Sequence, residues 1–291
     1  MPLASKSQAS ASDIALIESV KSILAQVPEG KALLELSDHL GVPIFIAHDL
    51  EDTAQLAYKT DGTSSSRKIL LAPNGDVRDI AVALGHELRH LWQYNRIGLD
   101  NTLILTLQDQ MSLKRIMEGD AFAFQAYLEK TLSVAARITP VTDKEADIIK
   151  TGFKKKGFEQ KESAPETKEL TDAWLAAFLG FQFSHYGMIY DRDEIKQAEK
   201  ISRLMTYARF FKQPPELVSA LRSSFNQSAK DLRLAVEKIT VAGLDDSSPS
   251  YFSLTESKKM LEAVSTFIDA GLRKKAARLN TKLVLKSQKI H

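Results

Sequence analysis

The sequence predicts an α+β protein that is mainly helical, with a small β-sheet in its first half and an all-helical second half. Three observations predict this class. Apolar residues recur at helical spacing over most of the chain, and three short β-like runs fall between residues 42 and 72. After a charged stretch at 151–170 the pattern is helical alone. A length of 291 residues suits one large or two modest domains. An apolar content of 44% and a charged content of 26% match a globular average, which excludes disorder for the bulk of the chain.

The elements follow in order. Residues 1–12 are Ser- and Ala-rich and aperiodic, so a disordered tail is expected there. Ile14, Ile17, Val20, Ile23 and Leu24 form the stripe of a first helix, which Pro28–Gly30 ends. A shorter helix over Lys31–Leu40 stops at Gly41. Strands are expected at 42–47, 55–59 and 68–72, with turn chemistry at 61–66 between the last two. Pro73–Asp76 closes the third strand, and Asp76 is a candidate N-cap. The next helix carries Val77, Ile80, Leu84, Leu88 and Leu91 on one face, enough to pack it on the sheet. A second long helix is expected from about 112 to 136.

These elements form a first domain over 13–150. The stretch 151–170, TGFKKKGFEQKESAPETKEL, reads as a linker or surface loop. A helical region over 171–291 follows, with helices at 171–212, 214–240 and 254–290. Trp174, Phe178, Phe181 and Phe183 read as its core.

Charge and composition narrow the function. Lys plus Arg is 39 against Asp plus Glu 37, a net charge of +2. That balance lacks the broad basic footprint of a dedicated nucleic-acid binder. Lys154–Lys156 and Arg273–Lys275 read as solvated faces, and no nucleic-acid partner is expected. Cysteine is absent, which removes disulfides, thiolate metal sites and a cysteine nucleophile. Any bound metal must use His, Asp or Glu. No apolar signal precedes Asp13, and no run approaches the roughly 18 apolar residues of a membrane span. The expectation is a cytoplasmic protein with no membrane partner.

The chemistry concentrates in Ala83-Leu-Gly-His86-Glu87-Leu88-Arg89-His90-Leu91-Trp92. His86 and His90 are i and i+4 on the expected helix, so both imidazoles leave one face and can share a metal. Glu87 is placed to reach a metal-bound water. The bland alternative is an ordinary helix whose polar face holds two His and a Glu. His39 and His48 flank the first strand without ligand spacing and read as surface or cap groups.

The motif at 86–90 resembles the HExxH of the zincin metallopeptidases. The metzincin branch needs Gly at 93 and His at 96, where this chain has Gln93 and Arg96. What remains is the gluzincin type, in which an acidic residue on a later helix supplies the third ligand. Glu118-Gly-Asp120-Ala121-Phe122-Ala123-Phe124 is similar to the E-x-E-A-N-x-F-A pattern of compact ImmA/IrrE-like metallopeptidases, with Phe122 in place of Asn. The resemblance covers about residues 30–135.

The resemblance implies one Zn²⁺ per chain, held by His86, His90 and Glu118, with an open position for water. Iron is also served by two His and a carboxylate. Helical spacing places Asp120 on the more apolar face of its helix, where a buried carboxylate needs a partner. Asp120 is therefore an alternate third ligand, or an acceptor orienting a ligating imidazole. Glu87 is the implied general base for peptide-bond hydrolysis. The family also implies a sheet edge that binds extended substrate, a place taken here by Arg67–Pro73.

The residue that stabilises the oxyanion is not identified by the sequence. The stretch Phe183-Ser-His185-Tyr186-Gly-Met-Ile-Tyr190-Asp191 is the densest remaining His/Tyr cluster, and its plain reading is aromatic core plus a surface His. The expected partner is a protein or peptide substrate, with a further protein partner possible through the C-terminal helices. The alternative from another class is a catalytically silent zincin-like module that binds metal or protein.

Overall fold

The computed structural model describes residues 10–60, 65–97, 105–134, 174–182, 184–210, 235–240 and 264–287, with Leu232, Gly243, Leu244 and Leu261 besides. Its elements are α1 (Ala11–Leu24), α2 (Pro28–His39), β1 (Ile44–Ile46), β2 (Ala54–Thr60), β3 (Ser65–Leu71), α3 (Val77–Ile97), α4 (Leu107–Thr131), α5 (His185–Phe210) and α6 (Ala270–Ser287). Residues 174–182 are also helical. The described chain is thus mostly helical with one small sheet. The expected linker at 151–170, Lys154–Lys156, Phe183 and most of the expected helix at 214–240 lie outside the described residues.

The chain divides into two compact units, residues 1–92 with 127–136 and residues 93–126 with 137–291. Helices α3 and α4 each contribute to both. Among the described residues no helix is long and apolar enough to cross a membrane.

In the first unit, α1 begins inside the expected tail because Ser10 caps it. The Ser10 hydroxyl accepts the Asp13 amide and the Asp13 carboxylate accepts the Ser10 amide, a reciprocal capping box. Pro28 opens α2, where its missing N–H costs nothing. The turn to β1 is fixed by Gly41 in the left-handed region, φ 63°, and by Ser37, whose hydroxyl donates to the Val42 carbonyl.

The sheet order is β1-β3-β2, with β1 parallel and β2 antiparallel to β3. Ile44 stands opposite Ile69 on one side, and Leu56 opposite Ile69 on the other. This corrects the expectation for Arg67–Pro73. The strand before the HExxH helix is the middle strand, paired on both sides, and cannot receive a substrate strand. Among the described residues the edges are β1 and β2. Ile69 and Leu71 are fully buried while Lys68 is exposed and Leu70 is half-buried, the two-residue period of a half-buried strand.

Asp76 precedes the first residue of helix α3, and its carboxylate accepts the Arg78 amide at 2.8 Å. The apolar stripe through Leu84, Leu88 and Leu91 accounts for burial of one face only. Yet every residue from Ile80 to Gln93 is buried except the half-buried Glu87. A helix surrounded on all sides must satisfy each polar group internally. Arg89, for example, is fully buried with its guanidinium 4.1 Å from the Trp92 ring centre.

Helix α4 runs five residues earlier than expected at both ends. Thr106 caps it, accepting the Asp109 amide and donating to the Asp109 carboxylate. In the second unit, Gly119 on α4 lets the 174–182 helix approach closely. A Cβ there would stand 2.7 Å from the Gln182 amide and 2.8 Å from the Phe178 ring. Arg115 ties α4 to α5 through a two-pronged pair with Asp191, at 2.9 and 2.7 Å. It also donates to the carbonyls of Gln182 and Phe267.

A core of Leu107, Met111, Ile195, Ala198, Ala276 and Leu283 joins α4, α5 and α6. Trp174, Phe178 and Phe181 are buried, as core residues of this region. Two of the expected long helices are interrupted. Ser184 begins α5 anew within 171–212, its hydroxyl accepting the Gly187 amide. Asp269 begins α6 within 254–290, accepting the Gly271 and Leu272 amides. Periodicity runs through both breaks because capping residues interrupt the backbone without disturbing the apolar stripe.

Candidate metal centre

Helical geometry brings His86 and His90 together on α3. Their Nε2 atoms are 3.1 Å apart and the rings meet edge to face. Two imidazole nitrogens bound to one tetrahedral zinc at about 2.0–2.1 Å stand roughly 3.3 Å apart, so the observed spacing suits shared ligation. The same 3.1 Å also suits a hydrogen bond between the rings with one Nε2 protonated. Both rings are buried, at 8% and 6% exposure.

Glu118, on α4, is 2% exposed. Its ligand oxygen and one nitrogen from each of His86 and His90 lie within 4.8 Å of one another. Two neutral imidazoles and a carboxylate are a donor set that fits zinc, and equally iron. The residues present therefore fit a divalent ion without specifying which.

Asp120 is fully buried, as the apolar-face argument required, and two neutral side chains donate to it. Gln93 donates to one oxygen at 2.7 Å and Trp174 donates its indole N–H to the other at 3.3 Å. Gln93 also donates to the Met117 carbonyl at 2.9 Å. Of the two acidic candidates on α4, Glu118 is the one gathered with the histidines. Gln93, which in the sequence served only to exclude the metzincin branch, is a structural anchor for Asp120. Phe122, the departure from the family pattern, stacks on Phe181 with ring centres 4.9 Å apart, a packing role Asn could not fill.

Glu87 accepts the backbone amide of Leu56 on β2 at 2.8 Å. This contact places the carboxylate beside an edge strand of the sheet. The sequence carried no signal for it, since a backbone donor has no residue signature. The Leu56 N–H therefore points away from β3, and among the described residues no strand pairs with β2 on that side.

The second unmarked neighbour is Lys114. Its ammonium is 2.7 Å from Glu118 Oε1 and 5.4 Å from the Tyr190 ring centre. Burial alone pushes this amine down, but the Glu118 carboxylate outweighs it and, with Tyr94 and Tyr190, holds Lys114 above its usual range. Burial pushes the Glu194 carboxyl up; nearby Lys114 opposes that and Glu118 adds to it. The Lys114–Glu118 spacing of i, i+4 was a signal the sequence offered.

The described part of the cluster, residues 184–191, separates. His185 and Tyr186 are exposed, Tyr186 at 52%, while Tyr190 meets Lys114 and Asp191 takes Arg115. His48 is a surface group paired with Asp13 at 3.4 Å, and His39 is an exposed residue in the last turn of α2.

Compared with known families, curated proteins and solved structures, the chain matches none of them.

Proposed function

We propose that this protein is a zinc-dependent peptidase of gluzincin type. The observation that carries the reading is the gathering of His86, His90 and Glu118 within 4.8 Å, with Glu87 next to the first ligand. His86 and His90 would hold the ion through ring nitrogens and Glu118 would supply a carboxylate oxygen. When bound, the ion supplies a Lewis acid that polarises a carbonyl and acidifies water.

Glu87 does the proton work. Its Oε2 is fixed by the Leu56 amide, and Oε1 accepts the proton of the attacking water and later returns it to the leaving amine. The edge that serves substrate is β2 in place of the expected Arg67–Pro73. An extended peptide pairing with β2 would lie along the strand that carries the Leu56 amide, and backbone pairing of this kind accepts many side chains.

Glu87→Gln keeps the shape of the side chain and removes the base. Turnover of a peptide library is expected to fall by about 10²–10⁴-fold while zinc content stays unchanged. Full turnover in that variant would end the assignment.

The Lys114–Glu118 ion pair favours a second reading, a zincin-like module that binds a protein without hydrolysis. A carboxylate already neutralised by lysine lets the fold persist with no metal. Wild-type turnover above the Glu87→Gln background separates the two.

A further inference from the structure

The surroundings of Lys114 contain more than one place for its charge. On α4 it stands one turn before Glu118, with the ammonium 2.7 Å from Oε1. Glu118 is 3% exposed and Lys114 is 28% exposed, so the lysine is the less sheltered member of the pair. On α5, Tyr190 presents its ring 5.4 Å from the same ammonium. Glu194 follows Tyr190 by one helical turn on the same face of α5, and is half-buried. The Lys114 charge acts on the Glu194 carboxyl, so a second carboxylate stands near the lysine.

Two demands conflict at Glu118. A buried carboxylate needs a counter-charge when no metal is present. A divalent ion that takes the same carboxylate meets a resident cation at contact distance, and like charges in a poorly solvated site repel strongly. A fixed lysine would satisfy the first demand and obstruct the second.

We propose that Lys114 is an exchangeable counter-cation, holding Glu118 while no metal is bound and passing to Glu194 and the Tyr190 ring when a divalent ion takes Glu118. The site then stays folded without metal and binds it reversibly. This inference rests on the metal reading above and concerns affinity, not turnover.

The test is a zinc titration of the full chain against a chromophoric chelator, for wild type, Lys114→Met, Glu194→Gln and His86→Ala/His90→Ala. Lys114→Met removes the competitor and is expected to bind zinc at least about tenfold more tightly. Glu194→Gln removes the lysine's alternate partner and is expected to bind several-fold more weakly. A lysine with a merely structural role would not shift the two variants in opposite directions.

Equal or weaker binding in Lys114→Met, with wild type binding zinc normally, overturns the exchange and leaves the metal reading standing. If Lys114→Met does not fold, Glu194→Gln decides, and unchanged affinity there overturns the exchange. Zinc binding in Lys114→Met alone supports it in its strongest form. Zinc binding in neither protein defeats the metal reading and the exchange together.

Discussion

Two neighbouring residues of α4, Lys114 and Arg115, hold carboxylates in two different ways. Arg115 and Asp191 are each 1% exposed and meet through two nitrogens and two oxygens, and the guanidinium also donates to the Gln182 and Phe267 carbonyls. Lys114 meets Glu118 through one ammonium and one oxygen, and is partly open to solvent. The planar fork of arginine fixes four segments at once, whereas a lysine head on a flexible stem can turn to another anion. The difference separates a charge pair that builds the second unit from one that can give up its carboxylate.

The strongest way to break this contrast is to remove half of the Arg115 pair. Arg115→Met leaves Asp191 charged and buried, and is expected to cost about 3–5 kcal/mol of stability in chemical denaturation. Zinc affinity of the fraction that remains folded should change little. A mild loss, similar to that of a surface pair, would mean that the two pairs do not differ in kind.

Gly119 tests whether the close packing beside these pairs is real. Gly119→Ala places a methyl against Gln182 and Phe178 and is expected to cost about 1–3 kcal/mol. Gln182 in turn donates to the Arg115 carbonyl, so the strain would be felt next to the rigid pair. Unchanged stability would show that the 174–182 helix can shift without loss.

The smallest effect concerns Glu194, whose carboxyl is raised mainly by burial, with Lys114 opposing and Glu118, Asp193 and Asp191 also facing it. A carboxylate raised in the folded state binds its proton more tightly there than when unfolded. Its ionisation therefore lowers stability as pH rises, and protonation restores it as pH falls. Glu194→Gln is never charged, so metal-free Glu194→Gln should melt slightly above wild type at neutral pH. The gap should close as pH falls through the carboxylate range. A gap that widens on acidification would contradict the burial argument.

What the sequence disclosed, and what it hid, follows from the range of the interactions. The helical stripe at Ile14–Leu24 and the β-like run at 68–72 are local signals, so α1 and β3 were legible, as was the i, i+4 spacing of His86 and His90. Strand order is not local: the sequence placed β3 before the HExxH helix but could not show that β1 and β2 flank it. Asp120 illustrates a middle case. Its burial followed from the face it occupies, while the Gln93 and Trp174 donors, 27 and 54 residues away, did not. The Leu56 amide on Glu87 was hidden altogether, because a backbone donor looks the same in every residue.

The central claim is that His86, His90 and Glu118 form a metal site. The most direct measurement is zinc bound per chain at equilibrium with excess zinc, for wild type beside His86→Ala/His90→Ala. The account predicts about one zinc per wild-type chain and its loss in the double variant. No stoichiometric zinc in wild type, or the same zinc retained by the double variant, would contradict it.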